Sequence, residues 1–144
     1  MSSALSIELP PEPQSIPRAR SALMDLATRC GARSGDIALA ASEAVTNALV
    51  HGYRRAASGP IRIQAWLQGR HLMIRVVDHG VGMRPHPEWP GLGIGIEVIR
   101  SVAEEATFDT SGEGVAVTMR FPCPAAGDAR GVVPGDARPT DAPS

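Results

Sequence analysis

The chain has 144 residues, 43% of them hydrophobic and 20% charged, which suits one domain with a packed core and leaves no room for two full ones. Its net charge of −1 argues against a protein built mainly to bind nucleic acid. All 14 basic residues are arginines, which excludes both a phosphate-binding loop ending in Gly-Lys-Ser/Thr and a Schiff-base lysine.

Ser6 to Leu9 alternates polar and apolar residues and reads as a short first strand. Pro10, Pro11, Pro13 and Pro17 predict irregular chain up to about Arg18. From there to Arg29, Ala19, Ala22, Leu23, Leu26 and Ala27 recur at helical spacing, and Gly31 supplies a stop. A second helix starts near Ser34 or Asp36, both good N-caps, and ends between Gly52 and Arg55. It is the most apolar helix in the chain and is expected to be central. Ile61, Ile63, Ala65 and Leu67 alternate as a strand, Gln68-Gly69-Arg70 reads as a hairpin turn, and a second strand runs from Leu72 to Asp78. That strand is apolar on both faces toward its end, which places it inside a sheet.

His79 to Pro90 is rich in Gly and Pro and reads as a loop. A helix then runs from about Gly93 to Ala103. A hairpin follows, with Thr107–Thr110 as one arm, Ser111–Gly114 as the turn, and Val115, Val117, Met119 and Phe121 on one face of the other arm. Residues 1–122 are therefore expected to form one domain, and residues 123–144, rich in Ala, Gly, Pro and Asp, a disordered tail. Adjacent hairpins with interposed helices predict an α+β fold, a two-layer sandwich whose mixed, mostly antiparallel sheet carries helices on one face.

Cys30 and Cys123 lie far apart and show neither metal-ligand spacing nor a disulfide framework, so Cys30 is expected to be a free buried thiol. No apolar run approaches ~18 residues, and no charged segment followed by an apolar one opens the chain, which points to the cytoplasm.

Three places could carry chemistry. Glu43, Asn47 and His51 recur every fourth residue and so share one helix face, the first two separated by ~6 Å of rise. A Glu and an Asn in so apolar a helix are costly if buried unpaired. They belong either to a solvated or backbone-satisfied face or to a pocket lined by a carboxylate and an amide oxygen. Asp78-His79-Gly80-Val81-Gly82 ends a buried strand. It is either a simple turn or a carboxylate poised to accept from a ligand amine, with glycines that let the backbone come close. Gly91-Leu92-Gly93-Ile94-Gly95 opens a helix and exposes first-turn N–H groups suited to phosphate. Val98 occupies the position where a dinucleotide fingerprint needs its third glycine.

These three segments, in this order, carry a resemblance. Ser42-Glu43-Ala44-Val45-Thr46-Asn47-Ala48-Leu49-Val50-His51-Gly52-Tyr53 resembles the N box of the histidine-kinase-like (Bergerat, GHKL) ATPases, in the version found in anti-sigma-factor serine/threonine kinases. Asp78-x-Gly80-x-Gly82 resembles the G1 box, Gly91–Gly95 the G2 box, and Gly112 to Met119 the closing strand of that fold. The resemblance covers residues 5 to 122 approximately and implies the Bergerat fold with ATP and Mg²⁺. It implies Glu43 as general base near an attacking hydroxyl, Asn47 as the Mg²⁺ ligand, and Asp78 as the acceptor for the adenine amino group. Gly80 and Gly82 would shape the base pocket, Gly93 and Gly95 would cradle phosphates, and Arg20 would contact partners; His51 receives no role.

The implied function is an anti-sigma regulator that sequesters a sigma factor of RNA polymerase. It would also phosphorylate a serine or threonine of an anti-anti-sigma (STAS) protein, with homodimer formation left open and no direct nucleic-acid or membrane contact. Two departures stand out. Val115 follows the closing-strand glycine where the family usually has Thr, and the stretch between the G1 and G2 boxes, Met83 to Pro90, is short. They motivate an alternative, a catalytically weak nucleotide-binding interaction module of the same fold. A detached ATPase part of a histidine kinase is disfavoured, because the first histidine, His51, lies inside the N box.

Overall fold

Apolar residues at every second position build the strands: Ile61, Ile63 and Ala65, then Leu72, Ile74 and Val76, are all buried, as strands with one face on a core require. The structure is a computed structural model that describes residues 3–55, 59–78, 90–109 and 115–124. Its elements are β1 (Ser3–Leu9), α1 (Ser15–Cys30), α2 (Ser34–Arg55), β2 (Ile61–Gln68), β3 (His71–Val77), α3 (Pro90–Val102), β4 (Glu105–Asp109) and β5 (Ala116–Pro122). The strands form one sheet in the order β1-β2-β3-β5-β4. Every pairing is antiparallel, where a partly mixed sheet was expected. The reason is the route of the chain: β4 takes the edge, and β5 folds back from it to run beside β3 in the opposite direction.

Inward residues of the sheet, such as Ile63, Ile74, Met119 and Phe121, join Leu23, Ile37, Val45 and Ile99 of the three helices in one core. β3 is the central strand, as its apolar faces required. Gly69 in the β2–β3 turn has φ 62°, and Gly31 has φ 79° and closes α1 by donating its N–H to Ala27 O. Both lie in the left-handed region that favours glycine.

Two helix starts differ from expectation. α1 begins at Ser15 rather than near Arg18, and α3 at Pro90 rather than near Gly93. In each case a proline sits in the first turn, where its missing N–H costs no helical hydrogen bond. Ser15 is buried and its hydroxyl donates to Pro10 O at 2.5 Å, which ties the new helix to the end of β1.

The cysteines require a correction. Cys30 is not a free thiol: it pairs with Cys123 as a disulfide, with the Cα atoms 5.8 Å apart. The sequence separation of 93 misled, because β5 leaves the sheet beside the end of α1. Cys123, assigned to the tail, is 0% exposed and its N–H donates to Arg70 O at 2.8 Å. Residues 125–144 lie outside the described residues, as do Gly80, Gly82 and the rest of 79–89. Among the described residues no helix is long and apolar enough to cross a membrane.

Candidate functional site

α2 turns a stripe of small residues, Ala40, Ala41, Ala44 and Ala48, into the protein, with Val45 between them. Short side chains let α3 lie close, and Gly95 faces Glu43 and Asn47. A Cβ on Gly95 would lie 3.0 Å from Asn47 Oδ1, 3.0 Å from Glu43 Oε1 and 3.2 Å from Asn47 Nδ2. The two polar heads that share a face of α2 thus meet at one spot on α3, where a side chain on residue 95 would crowd both.

Asp78 follows directly on β3 and is 7% exposed. Its backbone N–H donates to Val115 O at 3.0 Å, extending the β3–β5 ladder by one bond and fixing the residue in place. It opens onto a narrow recess of about 10 Å³ of free volume, room for about one water, whose lining includes Asn47, Ala48, Asp78, Ile96, Phe108 and Val115. A carboxylate and an amide set among apolar walls suit a flat ring that carries an amine, which the recess must widen to admit.

Residues 9–121 match the family described as the histidine kinase-like ATPase domain.

The chain belongs to the histidine kinase-like ATPase family.

Among curated relatives, it is 33% identical over 97 residues to an anti-sigma F factor of Clostridium acetobutylicum, covering 59% of this chain and 67% of that one. It is 35% identical over 96 residues to an anti-sigma F factor of Thermoanaerobacter sp. (strain X514), covering 58% and 66%. Among solved structures, the RsbU and RsbW domains of Rv1364c from Mycobacterium tuberculosis superpose with a TM-score of 0.63 at 24% identity. That match covers 85% of this chain and 33% of the mycobacterial one, so it speaks to the fold alone. The histidine kinase domain of the blue-light activated EL346 from Erythrobacter litoralis gives a TM-score of 0.55 at 25% identity over 79% and 61% of the two chains.

In this family member, Glu43, Asn47, Asp78 and Gly95 come together around the α2–α3 cleft and the end of β3. Gly93 lies in the first turn of α3, and Gly95 lies two residues further on, where its N–H belongs to the helical ladder. Side chains of residues 50–55, His51 included, lie outside the described residues.

Arg20 is not at this cleft. It sits on α1, half-buried, with Nη1 donating to Ser42 Oγ of α2 at 3.3 Å. It borders a separate surface recess of about 400 Å³ on α1, together with Pro17, Ser21, Met24, Asp25 and Thr28.

Sequence reasoning missed Phe108. It pairs with Val117 across β4 and β5 and lines the Asp78 recess, with the Arg100 guanidinium 5.1 Å from its ring centroid. Its alternation with Ala106 on the inner face of β4 was the available signal.

The donor set also fits the metal that the family implies. Among the described residues there is no group of three or more His, Cys, Asp or Glu able to cage an ion. Asn47 supplies a neutral oxygen beside the Glu43 carboxylate. Mg²⁺ is commonly held by one or two protein oxygens and by substrate phosphates.

Proposed function

We propose that this chain is a cytoplasmic, ATP-binding anti-sigma regulatory factor that sequesters a sigma factor of RNA polymerase. It transfers the γ-phosphoryl group of ATP to a serine or threonine of an anti-anti-sigma (STAS) partner. The observation that carries the reading is the meeting of Glu43 and Asn47 over Gly95, next to a recess that holds the buried Asp78. The anti-sigma F factors among its relatives support the regulatory role.

Each residue then has a task. The Asp78 carboxylate accepts a hydrogen bond from the adenine amine, and Ile96, Phe108 and Val115 enclose the ring. The Asn47 amide oxygen holds Mg²⁺, which when bound neutralises phosphate charge. Gly93 and its neighbours at the start of α3 offer N–H groups to the phosphates, and Gly80 and Gly82 shape the base pocket. The Glu43 carboxylate takes the proton of the attacking hydroxyl. Positioning and charge neutralisation do most of the work in phosphoryl transfer. Arg20, at its separate recess, contacts the sigma factor and the STAS protein in turn, which makes their binding mutually exclusive.

The test is incubation of the chain with Mg-ATP and its STAS partner. ADP release together with a phosphoserine or phosphothreonine on the partner supports the reading. A second reading, a nucleotide-binding interaction module with weak turnover, is favoured by Val115, which brings no hydroxyl to the recess. Nucleotide binding without phosphorylated partner would select it. For the partner surface, Arg20→Ala is expected to weaken both complexes and leave ATP affinity unchanged. Parental affinity for both partners in a titration would remove Arg20 from that surface.

A further inference from the structure

We propose that Cys30 and Cys123 form a reversible thiol–disulfide switch that sets how firmly α1 is anchored to the sheet. The two Cα atoms are 5.8 Å apart, a separation that a disulfide spans without backbone movement. The two ends belong to different layers. Cys30 is the last residue of α1, a helix that packs mainly on α2. Cys123 follows β5 and is held at the β2–β3 turn by its N–H bond to Arg70 O. The bridge therefore joins the end of α1 covalently to the sheet, in addition to the core contacts of Leu23 and Leu26.

Cys123 Sγ lies 2.9 Å from the Cys30 carbonyl oxygen. That carbonyl is one of the four at a helix C-terminus that lack an intrahelical partner, so it is an acceptor for the Cys123 S–H once reduction lets the two sulfurs separate.

The step is thiol–disulfide exchange with a low-molecular-weight disulfide. Cys30 is 7% exposed and Cys123 0%, so the Cys30 thiolate attacks first and expels one small thiol. The Cys123 thiolate then attacks the Cys30 sulfur of the mixed disulfide and expels the second. Two electrons pass from the cysteine pair to the small disulfide, and the two cysteine protons end on the two released thiols. Because the bridge closes a loop of 93 residues in sequence separation, it restricts the unfolded chain strongly. The oxidised form is expected to have an unfolding constant lower by about a hundredfold. α1 also carries the Arg20 recess, so the rigidity of that surface follows the redox state.

The experiment equilibrates the whole chain in mixtures of reduced and oxidised glutathione, traps thiols by alkylation, and counts them by intact-mass spectrometry. Urea unfolding is then followed for each form. The expected result is a reversible change from two trapped thiols to none, with a higher urea midpoint for the oxidised form. Cys30→Ser should abolish both effects, and should that variant not fold, the two wild-type forms carry the comparison alone. Two thiols trapped at every glutathione ratio, glutathione adducts in place of an internal bridge, or equal urea midpoints would each overturn the proposal.

Discussion

The two ends of the central strand β3, ~23 Å apart along seven residues, handle polar groups in opposite ways. At the His71 end the polar groups satisfy one another. Glu104 Oε1 lies 2.8 Å from His71 Nε2 and 3.0 Å from Arg120 Nε, and Arg120 Nη1 lies 2.8 Å from Glu105 Oε1. The paired cysteines adjoin that cluster through Arg70 and Pro122. At the Asp78 end a carboxylate is buried beside an apolar recess, and a second carboxylate and an amide crowd a glycine. One end closes the fold. The other gathers a buried carboxylate, a second carboxylate and an amide around a recess, the arrangement on which the proposed nucleotide site rests.

If this contrast is right, substitutions at the Asp78 end should change chemistry more than stability, and those at the His71 end the reverse. The largest effect is expected for Glu43→Ala. Loss of the general base should lower phosphotransfer by ~10²–10⁴-fold while ATP affinity stays near parental, as read by phosphopeptide formation and calorimetry on the same sample. A parental rate would remove Glu43 from the chemistry.

Asp78→Asn comes next. An amide can turn its NH₂ toward the adenine amine, whereas a carboxylate only accepts. Loss of a hydrogen bond to a charged group should weaken ATP binding by about 1.5–3 kcal/mol. Unchanged affinity in a calorimetric titration would detach Asp78 from the nucleotide.

Gly95→Ala separates stability from function most sharply. Alanine favours the helix by ~1 kcal/mol over glycine, but its Cβ would meet Glu43 Oε1 and Asn47 Oδ1 at 3.0 Å. Those atoms are the ends of flexible side chains, so they give way at little cost in stability and lose their shared position. The thermal midpoint should hold or rise slightly, and phosphotransfer should fall about tenfold from misplacement. A variant of parental activity would make Gly95 a packing glycine only.

Val115→Thr sharpens the contrast from within the recess. A new hydroxyl hydrogen bond contributes ~0.5–1.5 kcal/mol, so ATP affinity should rise several-fold. No gain would show that Val115 is not what limits binding. The smallest effect is expected at the other end. Glu104→Gln removes the carboxylate from a partly exposed ion pair with Arg120 and a contact with His71, which should lower stability by less than ~1 kcal/mol in denaturant titrations and leave ATP affinity alone.

Much of this was legible in the sequence, for identifiable reasons. The alternation of Ile61, Ile63 and Ala65 and the apolar β3 report burial directly, and the spacing of Glu43 and Asn47 puts both on one face of α2 whatever the surroundings. The starts of α1 and α3 were misread because proline ends a helix from within but begins one comfortably. The Cys30–Cys123 pair was missed because sequence separation says nothing about where β5 returns. The Phe108 wall and the contact of Gly95 with both polar heads depend on how α3 and β4 are laid against α2 and β5, a tertiary property that no local pattern encodes.

The account stands on the Asp78 end being an adenine-nucleotide site. The most direct test is a calorimetric titration of the chain with ATP in the presence of Mg²⁺, followed by competition with GTP. The expected result is saturable ATP binding at one site per chain with GTP at least about tenfold weaker, because guanine presents a carbonyl oxygen where Asp78 needs a donor. Absence of ATP binding, or equal affinity for the two nucleotides, would contradict it.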